Sequence, residues 1–328
     1  MKSIKKLKLL LHIWKYTFKA YLYDARRYVK YAGITDIHKY SQQRLTGYII
    51  TRYHIIEKGL AMPEMRFSFG IPVIESLIHS CNLYFTKYGN DNCQVNHAVD
   101  VLNEYVEIHH ASKIDLVEKL INGINELKLK KSETCSITNN HIYTQSEYFS
   151  NNISPFPEFA KSRHSLRHFS TEDVSVEDLK KSITLAQETT PTSCNRQSVR
   201  VHLVTNKTLI EKALNIQTGN RGFGHLTNKL IVLSSEVSVY NEIRERNLPY
   251  IDSGIYAMNL LYALHYFEIG ACALNWSANV NDDIALHEIL NIPESETITL
   301  IIACGVPNDK FKLASSKRFN FESITQIH

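Results

Sequence analysis

The run TTPTSCNRQSVR, Thr189 to Arg200, packs hydroxyl, amide and guanidinium groups around one proline. Pro191 interrupts regular structure there, and Ser, Thr and Asn divert hydrogen bonds to the local backbone, so the run is neither strand nor helix. A plain surface turn needs only one or two such residues. Their density points to a loop that holds a flat, polar-rimmed ligand. In SRHSLRHFS, Arg163, Ser165 and Arg167 alternate ahead of a helix. Two forked guanidiniums and a hydroxyl at that spacing can converge on a phosphate, although a solvated basic turn has the same composition. A third piece, FEIGACALNWS, closes a buried helix with glycine and small residues that let backbone approach a ligand. Alone, it is an ordinary helix–strand connection.

The elements that must position these pieces alternate between helix and strand. Ser175 with Asp178 marks a helix start, and Leu179, Ile183 and Ala186 its buried face. VRVHLV (199–204) alternates as a half-buried strand. KLIVLSS (229–235) and TITLIIACG (297–305) are apolar runs suited to central strands. Between them YIDSGIYAMNLLYALHYFEIG is a long helix, apolar on nearly all sides and expected to stop at Gly270. Such a helix belongs inside the domain or in a dimer interface.

Residues 1–130 read as a helical domain of a different kind. Leu7, Leu10, Leu11, Trp14 and Phe18 recur at helical spacing, with Lys5, Lys8, Lys15 and Lys19 mostly on the other side. Further helices are expected over 41–58, ending at Gly59, and over 72–88, 94–110 and 112–129. From Lys131 the composition turns polar, and 131–160 is assigned as a linker to a second domain, 161–328. A chain of 328 residues with net charge +4 supports two cores and is no general polyanion binder, so nucleic acid is excluded as a partner. Six dispersed cysteines (81, 93, 135, 194, 272, 304) form no CxxC or metal-ligand spacing, which points to a reducing, cytoplasmic compartment and no metal. No apolar run is long enough for a membrane span.

Taken in order, the three pieces resemble the FMN-dependent nitroreductase family over about residues 161–325. The matching positions are Arg163, Ser165 and Arg167; Pro191, Thr192, Ser193, Asn195, Arg196 and Gln197; Gly270 and Cys272; and the basic pair Lys317–Arg318. The resemblance implies an α+β fold, a nitroreductase-like mixed sheet flanked by helices. It further implies FMN as cofactor, NAD(P)H as co-substrate and a homodimer. By it, Arg163, Ser165, Arg167, Lys317 and Arg318 hold the ribityl phosphate, while Pro191, Thr192, Ser193, Asn195 and Gln197 line the ribityl chain and ring. Arg196 sits by the N1/O2 edge, where a cation stabilises the charge of reduced flavin. Backbone amides at Leu274 and Asn275 face the N5/O4 edge. The sequence departs from the pattern at Ser198 and Phe319, where prolines are usual, at Val199, where an aromatic often stands, and at His164, where a second arginine is common. A helical extension ahead of such a half is similar to members associated with bacterial surface-polysaccharide gene sets, which implies a small-molecule or glycan-related second substrate.

Several motifs stay open between two readings. GNRGFGH (219–225) is either a loop over the flavin, with Arg221 or His225 meeting substrate, or an ordinary connection. YHIIEKGLAMPEMRFSFG (53–70) is either a lid carrying Lys58 and Arg66 or a helix end. EIHH (107–110) lacks metal-ligand spacing, and Cys194 and Cys272 read as small packing residues. Residues 1–30 carry nine Lys or Arg against one acid, Asp24. They form either a helix docked on its own domain or a peripheral contact with the inner face of a membrane. The resulting assignment is an FMN-dependent NAD(P)H oxidoreductase with an unidentified second substrate. The alternatives are a specialised flavin enzyme that does not use NAD(P)H, performing dehydrogenation, dehalogenation or flavin breakdown, and a non-catalytic flavin-fold scaffold at a membrane surface.

Overall fold

The computed structural model describes residues 2–31, 36–132 and 141–328. The chain divides into two compact units, one formed by 1–141 with 314–328, the other by 142–313. This division differs from a linker over 131–160. Residues 133–140, with Cys135, lie outside the described residues, and the rest of the expected linker from Ile142 onward is built into the second unit.

In the first unit, α1 (Lys2–Tyr31), α2 (Gln42–Leu60), α3 (Ile71–Tyr88), α4 (Cys93–Ala111) and α5 (Glu118–Lys130) follow one another. Ser41 caps α2 by accepting from the Arg44 amide, and Asn92 caps α4 by accepting from the Gln94 and Val95 amides. Leu45, Ile49, Ile56 and Leu60 of α2 meet Leu77 and Cys81 of α3, Val95, Val99 and Leu102 of α4, and Ile124 and Leu127 of α5 in one core. Two boundaries depart from expectation. Helix α2 runs through Gly59, where a Cβ would come within 2.1 Å of the Phe69 ring, so this glycine makes room for an aromatic instead of ending the helix. Helix α5 begins at Glu118, after a turn in which Lys113 is left-handed (φ 57°). Within the same unit the carboxylate of Glu57, fully buried, bonds His97 Nε2 at 2.7 Å, His54 Nδ1 at 3.0 Å and the Ser315 hydroxyl at 2.8 Å.

The second unit has the expected α+β class. It opens with β1 (Ile142–Thr144), α6 (Gln145–Tyr148), α7 (Phe156–Ser162), α8 (Val176–Thr189), β2 (Val199–Val204) and α9 (Lys207–Ile216). It continues with β3 (Lys229–Glu236), α10 (Leu248–Tyr266), β4 (Gly270–Asn275), α11 (Val280–Leu290), β5 (Glu296–Gly305) and β6 (Lys310–Lys312). The main sheet has the order β2-β3-β5-β4, with antiparallel pairing throughout. The two most apolar runs, β3 and β5, take the centre, as strands covered on both faces must. Alternate residues Ile231, Leu233, Ile302 and Cys304 pack with Leu179 and Ala186 of α8 and with Tyr256, Leu260 and Leu264 of α10. The short pair β1–β6 ties residues 142–144 to 310–312, which is why the expected linker belongs to this unit.

Gly270 is not the helix stop. The helix ends at Tyr266, Glu268 takes the left-handed position (φ 57°), and Gly270 is the first residue of β4. A Cβ there would lie 2.3 Å from Leu166 Cδ2 and 2.8 Å from the Gly305 carbonyl oxygen. The glycine is demanded by close packing of three segments.

Candidate functional site

The segment Arg163–Arg167 follows α7 and runs along the outer edge of β4. The Leu166 amide donates to the Ala271 carbonyl at 3.0 Å, and the fully buried Leu166 side chain fills the space that Gly270 leaves. Behind it sits an aromatic box. The Tyr148 hydroxyl donates to the His164 carbonyl at 2.6 Å, and the Tyr148 and Phe159 rings lie 5.4 and 5.5 Å from the ring of His265. Burial pushes the Tyr148 phenol up, against the opposing charges of Arg163 and Arg167. Burial, followed by the positive charges of Arg163 and His164, pushes His265 down to about 4, so the imidazole is neutral; its Nε2 lies 2.8 Å from the Ser162 hydroxyl.

With its backbone fixed at both sides, the segment presents two cations. Among the described residues neither Arg163 nor Arg167 has a carboxylate partner. Arg167 donates to the Ser165 carbonyl at 3.4 Å, and the Nε of Arg163 is buried with no hydrogen-bond partner among the described residues. A buried, unsatisfied guanidinium donor is costly unless an acceptor arrives. This donor set fits the phosphate of FMN.

The Thr189–Arg200 loop is strained. Cys194, Asn195 and Gln197 all adopt left-handed φ, at 52°, 54° and 49°. Each such non-glycine residue costs on the order of 1 kcal/mol and persists only when its surroundings over-determine it. Here Asp252 does so. It is 2% exposed, and its carboxylate accepts from the Ser193 amide at 3.2 Å and the Ser193 hydroxyl at 2.8 Å. The Tyr240 hydroxyl lies 3.1 Å from Asp252 Oδ2 and 2.8 Å from the hydroxyl of Ser198, also fully buried. The departure at Ser198 is therefore integrated into the loop's anchor. The Thr192 hydroxyl accepts from the Gln197 amide at 3.0 Å. Thr192 and Gln197, with Gln187, Arg200 and Tyr256, line a cavity of about 390 Å³.

Arg196 is held within its own loop and by the segment after β3. Its Nη2 pairs with Glu245 at 2.7 Å, Nε donates to the Ser193 carbonyl at 3.1 Å, and the guanidinium lies 4.7 Å from the centre of the Tyr240 ring. The hydrogen bond from Arg196 holds Glu245 down to about 2. A guanidinium so engaged clamps the loop. Asp252, Tyr240 and Glu245 belong to no motif in the sequence. One signal was available, because a lone Asp inside a helix apolar on nearly every side must have a partner.

Leu274 is buried and Asn275 exposed near the end of the edge strand β4, where the Asn275 carbonyl accepts from the Gln217 side chain at 3.0 Å. That bond joins β4 to the 217–226 turn, which carries exposed Arg221 and His225 around the fully buried Phe223. Lys317 and Arg318 are exposed and belong to the first unit, as do Lys58 and Arg66. Pro191 precedes the strained turn. Of the EIHH histidines, His109 is buried between the Tyr105 carbonyl and the Ser68 amide.

Residues 160–306 match the model of the nitroreductase family. This part of the chain, just under half of its length, is thus similar to that family. Among solved structures, a nitroreductase family protein from Streptococcus pneumoniae TIGR4 is similar at 20% identity with a TM-score of 0.47, covering 53% of this chain and 100% of its own. An FMN-dependent nitroreductase from Clostridium difficile R20291 is similar at 21% identity with a TM-score of 0.42, covering 52% and 96%. No curated protein sequence matches the chain.

Proposed function

We propose that the domain binds FMN and works as an oxidoreductase that takes hydride from NAD(P)H and delivers electrons to a second substrate. The observation that carries this reading is the buried Nε of Arg163, without a hydrogen-bond partner among the described residues, two residues from a further guanidinium, Arg167, that has no carboxylate partner among them. Together with Ser165 they supply charge-assisted donors suited to a phosphate dianion. Thr192, Ser193, Asn195 and Gln197 supply the polar rim of the ring and ribityl site, with their backbone held in place by Asp252 and the Arg196–Glu245 pair. The amides of Leu274 and Asn275 face the ring's far edge. When bound, FMN supplies the hydride chemistry, and the protein supplies position, electrostatics and exclusion of water. Arg221 and His225 are proposed substrate contacts, and a glycan-related second substrate rests on the resemblance of the helical extension alone.

The same reading includes a homodimer. Ile251, Ile255 and Met258, 52%, 44% and 36% exposed, line one face of α10 at helical spacing, while the opposite face fills the core. An apolar stripe of this kind suits an isologous interface.

The visible spectrum of the purified protein tests the assignment. Flavin absorbance is expected in the wild type. In Arg163→Ala/Arg167→Ala the dissociation constant for FMN should rise at least ~100-fold, because two charge-assisted bonds are lost at roughly 1.5–3 kcal/mol each. A colourless wild type that binds no added FMN overturns the proposal. Anaerobic bleaching by NADH or NADPH then separates a nicotinamide-using enzyme from a specialised one.

A further inference from the structure

Helix α1 carries a second surface with its own chemistry, independent of the flavin reading. It is 30 residues long, about 45 Å at 1.5 Å per residue. Leu7, Leu11, Trp14, Phe18, Tyr21 and Val29 recur at three-, four- and eight-residue intervals along one stripe, and every one is exposed, from 56% at Tyr21 to 70% at Trp14. Beside that stripe runs a second one, Lys8, Lys15, Lys19, Arg26 and Lys30, also exposed. Asp24 is the only acid on the helix. A row of large apolar side chains left uncovered is unusual on a soluble surface, and the cations beside it narrow what can cover it.

We infer that α1 is an in-plane membrane helix, which docks on a bilayer containing anionic phospholipid. The apolar stripe would sink to the acyl boundary, with Trp14 and Tyr21 at headgroup level, while the lysine stems extend the polar face toward lipid phosphates. Charge complementarity selects this occupant over a second copy of the chain. Two α1 helices pairing through the apolar stripe would bring cationic flanks together with almost no carboxylate to pair with them. The helix lies on the bilayer instead of crossing it: among the described residues no helix is long and apolar enough to span one.

The test uses the full-length protein with extruded vesicles of phosphatidylcholine alone or with about 30% phosphatidylglycerol at roughly 0.1 M salt. Flotation should recover at least ~tenfold more protein with the anionic vesicles than with the neutral ones. The emission of Trp14, isolated in a Trp276→Phe background, should shift to the blue on binding. Lys15→Glu/Lys19→Glu and Phe18→Glu should each abolish flotation while their thermal melts stay at the wild-type temperature, since these side chains are exposed. Equal flotation with both vesicles, no flotation with either, or a self-association in sedimentation velocity that Phe18→Glu abolishes would each overturn the inference. None of these outcomes depends on FMN binding, so this surface and the flavin site are tested separately.

Discussion

Asp252 holds the strained loop by accepting from three donor groups, the backbone amide and hydroxyl of Ser193 and the hydroxyl of Tyr240. Replacing it by Asn keeps the shape but removes the charge, and a buried charge-assisted network loses roughly 2 kcal/mol when its acceptor is weakened. Asp252→Asn is therefore expected to lower the melting temperature and to weaken FMN binding together, measurable by thermal denaturation and flavin titration. A drop in stability with unchanged FMN affinity would mean that the loop does not touch the cofactor. His265 and Glu57 predict the acid limb of stability. With a folded pKa of about 4 against an ordinary 6.5, His265 is protonated more readily in the unfolded chain, so stability falls as pH drops from 6.5 toward 4. Burial would raise Glu57, but hydrogen bonds from His54, His97 and Ser315 outweigh it and hold the carboxyl at about 2 against 4.5. Its contribution is complete above 4.5 and lost as pH falls through 2. Melting temperature against pH should thus decline from pH 6.5 downward, and His265→Phe should flatten the upper part of that decline.

At the scale of elements, the site depends on how closely β4 approaches its neighbours. Gly270 and Gly305 are cross-strand partners, and a Cβ on Gly270 would strike both Leu166 and backbone. Gly270→Ala must push the Arg163–Arg167 segment outward, at a cost of about 1–3 kcal/mol. The expected result is a lower melting temperature and a rise in the FMN dissociation constant, even though residue 270 carries no polar side chain. Most of the helices and strands were legible in the sequence. Ser175 caps its helix, the helix expected over 41–58 is Gln42–Leu60, VRVHLV is the strand Val199–Val204, and KLIVLSS and TITLIIACG take the sheet's centre. Strand β4 was legible only as a connection, because GACALN is small and has no alternation strong enough to separate a strand from a loop. The role of Gly270 was misread for a related reason. A glycine after an apolar helix satisfies the pattern for a stop, and only its neighbours in space show that a left-handed Glu268 ends the helix instead.

For the whole molecule, the exposed stripe of α10 carries the proposal of a dimer. Ile255→Glu places a charge in the middle of that stripe and should shift the sedimentation coefficient from dimer to monomer. An unchanged coefficient would remove α10 from the interface. The chemistry-bearing residue types, the helical and α+β halves, the central strands and the amphipathic α1 were determined by sequence alone, because periodicity and side-chain chemistry are local properties. Tertiary structure decided which groups remain available. It spent Arg196 on Glu245, left Arg163 Nε without an acceptor, set Asp252 under the loop and assigned residues 314–328 to the first unit. Pairing and burial depend on partners tens of residues away in the chain, and a linear pattern does not encode which of two arginines meets a carboxylate.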